Sequence, residues 1–195
     1  MTLVIACGAS GIILLVSDGT TAIADINRAD HALTELSHNI ARGHASIRAH
    51  VTTAGASADA ALRQFNASVS RRFAQLQSVN AGIDRSRFWS PRPYGNADVQ
   101  HMEADRREYA TAVATAIAHS DNRTMTLRFI DLRAQKLIQT VEAVIDRVDT
   151  ARDRVLFTVE TMVALWSAAG AWLIAYLIWR PVFTDARPIP RRLET

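Results

Sequence analysis

Little in this sequence serves chemistry. Cys7 is the only cysteine in 195 residues, which excludes an intrachain disulfide and a cysteine-built metal site. With 8 glycines and 5 prolines, and no alternating apolar run bounded by turn residues, the chain lacks the punctuation of a β-sandwich or an α/β enzyme. Lysine is almost absent: Lys136 stands alone, so 21 of the 22 basic residues are arginine. Those arginines alternate with carboxylates, as in Asp146-Arg147 and Arg152-Asp153-Arg154, and do not gather into a stripe. The net charge of +3 therefore does not point to nucleic acid. No glycine-rich phosphate loop, nucleophile elbow or carboxylate pair with a polar pocket is present, so no enzyme is expected. Six histidines (His31, His38, His44, His50, His101 and His119) contain no His-x3-His pair, and the paired Glu-x-x-His of di-iron bundles is not met. His31 and His38 share a face, but at about 10 Å apart along a helix they cannot hold one ion. Solvent-facing or bundle-edge histidines are expected, with no metal or other cofactor.

Helix is what the sequence has in abundance. Between Thr124 and Trp179 apolar residues recur at Leu127, Ile130, Ala134, Leu137, Val141, Val144, Val148, Ala151 and Val155, in alternating steps of three and four. That is the seam of a helix packed lengthwise on other helices. From Thr161 to Trp179 nineteen residues carry no charge, long enough to cross ~30 Å of hydrocarbon. Read together they predict one helix of roughly 80 Å, running from a water-soluble bundle into a membrane. Thr2–Ser17 is a second uncharged stretch, and its heptads run on through Ile12 and Leu15, which favours a retained first span. A signal peptide cut after Ala22-Ile23-Ala24 is the rival reading. Val4-Ile5-Ala6-Cys7 resembles a lipoprotein box, but a buried membrane thiol fits the apolar residues that follow it better.

Three more amphipathic segments complete the pattern. Ile26, Leu33, Ile40 and Ile47 repeat every seven, with Ala29, Leu36 and Gly43 at the companion positions. Leu62, Phe65, Val69, Phe73, Leu76, Val79 and Ile83 follow, then Val99, Met102, Tyr109, Val113 and Ile117. Segments 19–51, 57–84, 97–119 and 124–156 thus predict an all-α antiparallel four-helix bundle with up-down-up-down connections, flanked by two transmembrane helices. The expected organisation is a first span over 1–17, the bundle over 18–156, a second span over 157–179 and a basic tail over 180–195. Arg180, Arg187, Arg191 and Arg192 place that tail in the cytoplasm and the bundle in the periplasm of a bacterial inner membrane. The loop before helix three carries Phe88, Trp89 and Tyr94. These aromatics either meet the lipid headgroups or cap the bundle. Asn66-Ala-Ser and Asn122-Arg-Thr match glycosylation acceptors, a signal frequent by chance.

Ile26-Asn27-Arg28-Ala29, Leu36-Ser37 and Ile40-Ala41-Arg42 together resemble the first periplasmic helix of type IV pilus chemotaxis transducers and NarX-type nitrate sensors. Trp179-Arg180-Pro181-Val182 is similar to the exit of their second span. The resemblance implies a homodimeric sensor bundle that passes a helix displacement to the cytoplasm. Asp30 stands where the family has glycine, and no arginine occupies the position that binds the anion in the nitrate sensors. Ligand contacts are therefore expected of Asn27, Arg28 and His31 on helix one, and of Arg106, which interrupts the helix-three seam. A guanidinium beside an apolar seam needs an anionic partner, either a carboxylate on a neighbouring helix or a small bound anion. No output module is expected within these 195 residues, so a cytoplasmic signalling partner or a truncated receptor is implied. The alternative is an adaptor bundle that binds another periplasmic protein without sensing.

Overall fold

The computed structural model describes residues 2–52, 57–83, 94–118 and 123–184, and of their side chains all but those of 2–12, 14–15, 82–83, 123 and 181–184. These residues form four helices and no strand: α1 (Thr2–Thr52), α2 (Ser57–Ile83), α3 (Asn96–Ala118) and α4 (Arg123–Thr184). The all-α expectation holds for them. The chain separates into two compact units, Asp18–Leu156 on the one hand and Met1–Ser17 with Phe157–Thr195 on the other.

The first unit is a bundle whose core is the set of seam positions. On α4, Ile130, Ala134, Leu137, Val141, Val144, Val148, Ala151 and Val155 are all buried. On α1 the same is true of Ile26, Ala29, Leu33, Leu36, Ile40 and Ile47. Phe65, Val69, Phe73 and Leu76 of α2 and Val99, Met102, Tyr109 and Val113 of α3 complete it. Each large side chain removed from water here contributes about 1.5–3 kcal/mol, which is what fixes the register of four otherwise featureless rods. The pairing across the bundle is antiparallel between successive helices. Glu35 of α1 meets Arg72 of α2, Asn66 of α2 meets Arg106 of α3, and Asp98 of α3 meets Arg147 of α4.

One helix start is built in full view. Gly95 N–H donates to Asp98 Oδ2 at 2.8 Å while Gly95 C=O accepts from the Asp98 and Val99 amides. This is one half of a capping box, with aspartate in place of the usual glutamate: the Asp98 side chain reaches back to the N-cap amide, while Gly95 has no side chain to return the bond. Tyr94, just before it, is buried and its hydroxyl donates to the Leu76 carbonyl at 3.2 Å. Of the two roles open to this loop, Tyr94 takes the cap of the bundle. Phe88 and Trp89 lie outside the described residues.

In the second unit, one helix among the described residues is long and apolar enough to cross a membrane. It lies within Thr124–Arg180, with a mean hydropathy of 1.7 over an 18-residue window of which none is buried. Trp166, Trp172, Tyr176 and Trp179 are exposed there, and Trp172 stacks on Tyr176 with ring centroids 5.7 Å apart. The backbone of residues 2–17 is helical, but most of its side chains lie outside the described residues, so only the second of the two expected spans has this support.

Candidate functional site

Among the described residues polar side chains enter the bundle interior at four levels: the Asn80–Asn96 pair at the start of α3 and three others, of which the richest surrounds His44. This residue follows Gly43 on α1, and the missing side chain at 43 is what shapes the level. A Cβ built on Gly43 would overlap the ring of Phe65, which α2 presses into the gap. Phe65 in turn stands edge-on to Tyr109 of α3, with centroids 5.2 Å apart. His44 is displaced toward α3 and α4, where its side chain is 16% exposed. Its Nδ1 lies 3.1 Å from the Tyr109 hydroxyl and its Nε2 3.1 Å from Asp131 Oδ1 of α4. Arg48, one turn further along α1, reaches Asp131 Oδ2 at 3.5 Å.

The chemistry of this level follows from which nitrogen holds the proton. Facing a carboxylate, Nε2 carries it, which leaves Nδ1 to accept from the Tyr109 hydroxyl. Tyr109 is fully buried, and among the described residues His44 is its one hydrogen-bond partner. The Nε2–Asp131 contact is an electrostatic one and not an aligned hydrogen bond, so the buried Oδ1 retains an unused lone pair. Burial pushes the His44 pKa below 6.5; Asp131 opposes that and Arg48 adds to it. Burial also raises the Tyr109 pKa, assisted by the Asp131 charge. Near neutral pH the level is thus a neutral imidazole between a phenol and a carboxylate. It opens on a surface groove of about 470 Å³ whose other polar walls are Gln135, Gln139 and Glu142.

The second level is Asp105, a carboxylate of which only 8% is exposed. It takes Lys136 Nζ at 2.6 Å and the Thr140 hydroxyl at 2.7 Å, both from α4. Burial alone raises its pKa, yet the hydrogen bonds from Lys136 and Thr140 hold it below the ordinary value of 3.8. Lys136 also reaches Glu108, which Arg133 clasps at 2.6 Å. The third level is Arg106, whose side chain is 14% exposed.

The four residues expected to bind a ligand are not brought together. Asn27, Arg28 and His31 are exposed on α1. Arg28 pairs with Asp25 at 3.1 Å and His31 lies 3.6 Å from Glu35, both on the same helix. Arg106 belongs to another level. It bonds Asn66, whose neighbour Phe65 abuts Gly43, so it lies about 24 Å along the bundle from Asn27. Its partners are also not those anticipated. Instead of a carboxylate on a neighbouring helix, it has the Asn66 amide of α2 at 3.0 Å and Glu103 of its own helix at 3.7 Å, and its Nε is buried without a hydrogen bond.

His44 was passed over by sequence reasoning because it sits beside the seam, where histidines are usually wet. A signal did exist: a tyrosine on the seam must find a partner for its hydroxyl, and His44 and Asp131 each flank the seam of another helix. Asn66 is also half-buried and engaged by Arg106 within α2, which is not the exposed loop that a glycosylation acceptor requires. Among the described residues no group of three or more His, Cys, Asp or Glu is placed to hold a metal ion. Comparison with protein-family models, curated proteins and solved structures finds no match for the chain.

Proposed function

We propose that this chain is a membrane-bound, non-enzymatic sensor-like protein. Its helical bundle detects a stimulus in the bacterial periplasm and passes a helix displacement across the inner membrane to a cytoplasmic partner. The observation that carries the reading is the continuity of α4, unbroken over 62 residues from Arg123 to Thr184. The same helix holds the buried seam from Ile130 to Val155 and, beyond it, an apolar window of which none is buried. Stiff helices transmit shifts of ~1–2 Å between packed arrangements. The polar levels at His44 and Asp105 supply groups on α1, α3 and α4 that a stimulus can rearrange. Orientation rests on the arginines after the span, at 180, 187, 191 and 192, and a homodimer follows from the family resemblance on α1.

An adaptor is the second reading, favoured by one observation. Met125, Phe129 and Leu132 form an exposed apolar stripe on α4, 71%, 46% and 63% exposed, of the kind that docks another protein. Two measurements on the full chain decide. Single cysteines placed at Asp59 and Arg187 in a Cys7→Ser background are labelled by a membrane-impermeant maleimide in intact spheroplasts. The sensor topology expects labelling at 59 and protection at 187, and the reverse pattern sinks it. Melting of the detergent-solubilised chain against small anions, amino acids and a pH series then separates the two functions. A selective shift supports sensing, because a ligand that binds only the folded state must stabilise it. A flat response supports the adaptor.

A further inference from the structure

We propose that His44 is a proton-operated joint of the bundle: protonation at Nδ1 breaks its hydrogen bond from Tyr109 on α3, tightens its pairing with Asp131 on α4, and so exchanges one interhelical tie of α1 for another. This rests on the sensor reading above and names its stimulus, acidification of the compartment around the bundle.

The geometry gives His44 different partners on its two sides. In the neutral ring, Nδ1 is an acceptor 3.1 Å from the Tyr109 hydroxyl. A proton added at Nδ1 turns that acceptor into a donor. The phenol proton then points at another proton, and Tyr109 must turn its hydroxyl away from its one partner, inside a site where it has no exposure. On the opposite edge the same proton creates a full imidazolium 3.1 Å from Asp131 Oδ1, a buried oxygen with no hydrogen bond of its own. One proton therefore weakens α1–α3 and strengthens α1–α4. An orphaned buried hydroxyl is costly and a charge-assisted pair is favourable, so the two arrangements are set against each other through a single atom.

The groups facing His44 from every packed element can be named. From α4 come Asp131 and, further along the groove, Glu142; from α1 comes Arg48. α3 contributes Tyr109, and α2 contributes the Phe65 ring behind it. Asp131 favours the charged ring, Arg48 opposes it, and burial opposes it most, so the joint stays neutral until the pH falls below 6.5. The sign follows. The unfolded chain takes up this proton at 6.5 and the folded chain only at lower pH, so the stability that neutral His44 confers is present above 6.5 and lost as the pH falls through the folded value.

The test uses the full chain in lipid nanodiscs at about pH 7.5 and about pH 5.5. Spin labels at exposed Ala49 on α1 and Thr124 on α4 report the separation of these helices, and the melting temperature is read alongside. The expected result is a pH-dependent change in the label distance and a fall in melting temperature. Both are at least halved in His44→Gln, which cannot titrate, and in Tyr109→Phe, which has no hydroxyl to lose. A pH response of unchanged size in both variants, or none in the parent chain, overturns the proposal. A response that is selective for His44, while a third label at Ile178 stays still, supports the joint and refutes transmission to the span. Melting that answers to a small compound but not to pH does the reverse: it keeps the sensor and overturns the proton as its stimulus.

Discussion

Replacing Gly43 by alanine sets two well-measured effects against each other at one atom. Gly43 is in the middle of α1, where glycine costs about 1 kcal/mol relative to alanine, so the exchange should stabilise an isolated helix by that amount. Here the new methyl would overlap Phe65 Cδ2 and lie 3.2 Å from Cε2 and 3.5 Å from Cγ. The ring has little room to withdraw. It is only 3% exposed, and its far side rests on Tyr109, whose hydroxyl is committed to His44. Forcing one methyl into such a site costs about 1–3 kcal/mol. The net expectation for Gly43→Ala is a destabilisation of about 0–2 kcal/mol. The sharper expectation is its sign change in a Phe65→Ala background, where the obstacle is gone and the helix term alone should stabilise by about 1 kcal/mol. Phe65→Ala itself costs about 3–5 kcal/mol. The assay is a urea titration of the full chain in detergent, followed by circular dichroism, for the four members of the cycle. A coupling energy within ~0.5 kcal/mol of zero would refute the argument, because the two residues would then be acting as strangers.

Three further outcomes are expected. Asp105→Ala removes the acceptor shared by Lys136 and Thr140 and should cost about 1–3 kcal/mol in the same titration. Because the folded carboxyl titrates below 3.8, its contribution is present above that pH and lost as the pH falls through the folded value, so Asp105→Asn should flatten acid unfolding in that range. Tyr94→Phe forfeits only the bond to the Leu76 carbonyl, about 0.5–1.5 kcal/mol, whereas Tyr94→Ala opens the cap and should cost about 3–5 kcal/mol; equal effects would mean that the ring is not packed. Ala168→Arg puts a charge near the centre of the apolar window, an insertion cost of about 2.5–3.5 kcal/mol, and should reduce the carbonate-resistant membrane fraction.

The rods of this fold are legible in the sequence; the ties between them are not. Eight of the nine seam residues read from α4 are buried because a period of three and four states which face is apolar, whatever the neighbours are. Tyr109 shows the limit. Its place on the seam is evident from spacing, but its partner comes from the diagonally opposite helix, 65 positions away, and spacing within one helix carries no record of that. Gly43 reads as a weak seam position, although its emptiness is what admits Phe65 and turns His44 toward Tyr109. Arg106 reads as a flaw in helix three needing a carboxylate from a neighbouring helix or a bound anion, yet an amide from α2 and a glutamate of its own helix stand against it. Asp105, beside it, was read over altogether, because an aspartate next to an arginine looks like solvated surface until α4 brings Lys136 and Thr140 against it.

The cap at the start of α3 bears on how the molecule comes into being. Asn80 bonds Asn96 and Tyr94 bonds Leu76 across only 16 and 18 positions, whereas the Arg106–Asn66 pair spans 40. Loop closure grows dearer with length, so the capped end of the α2–α3 hairpin closes more cheaply than its far end and is the natural place for that hairpin to begin pairing. A ribosome would have delivered both halves of that hairpin before it had made most of α4. The last helix then arrives at a surface already formed. Asp98, Asp105 and Glu108 wait in a row along α3 for Arg147, Lys136 and Arg133, and they set the register in which the long helix is laid down.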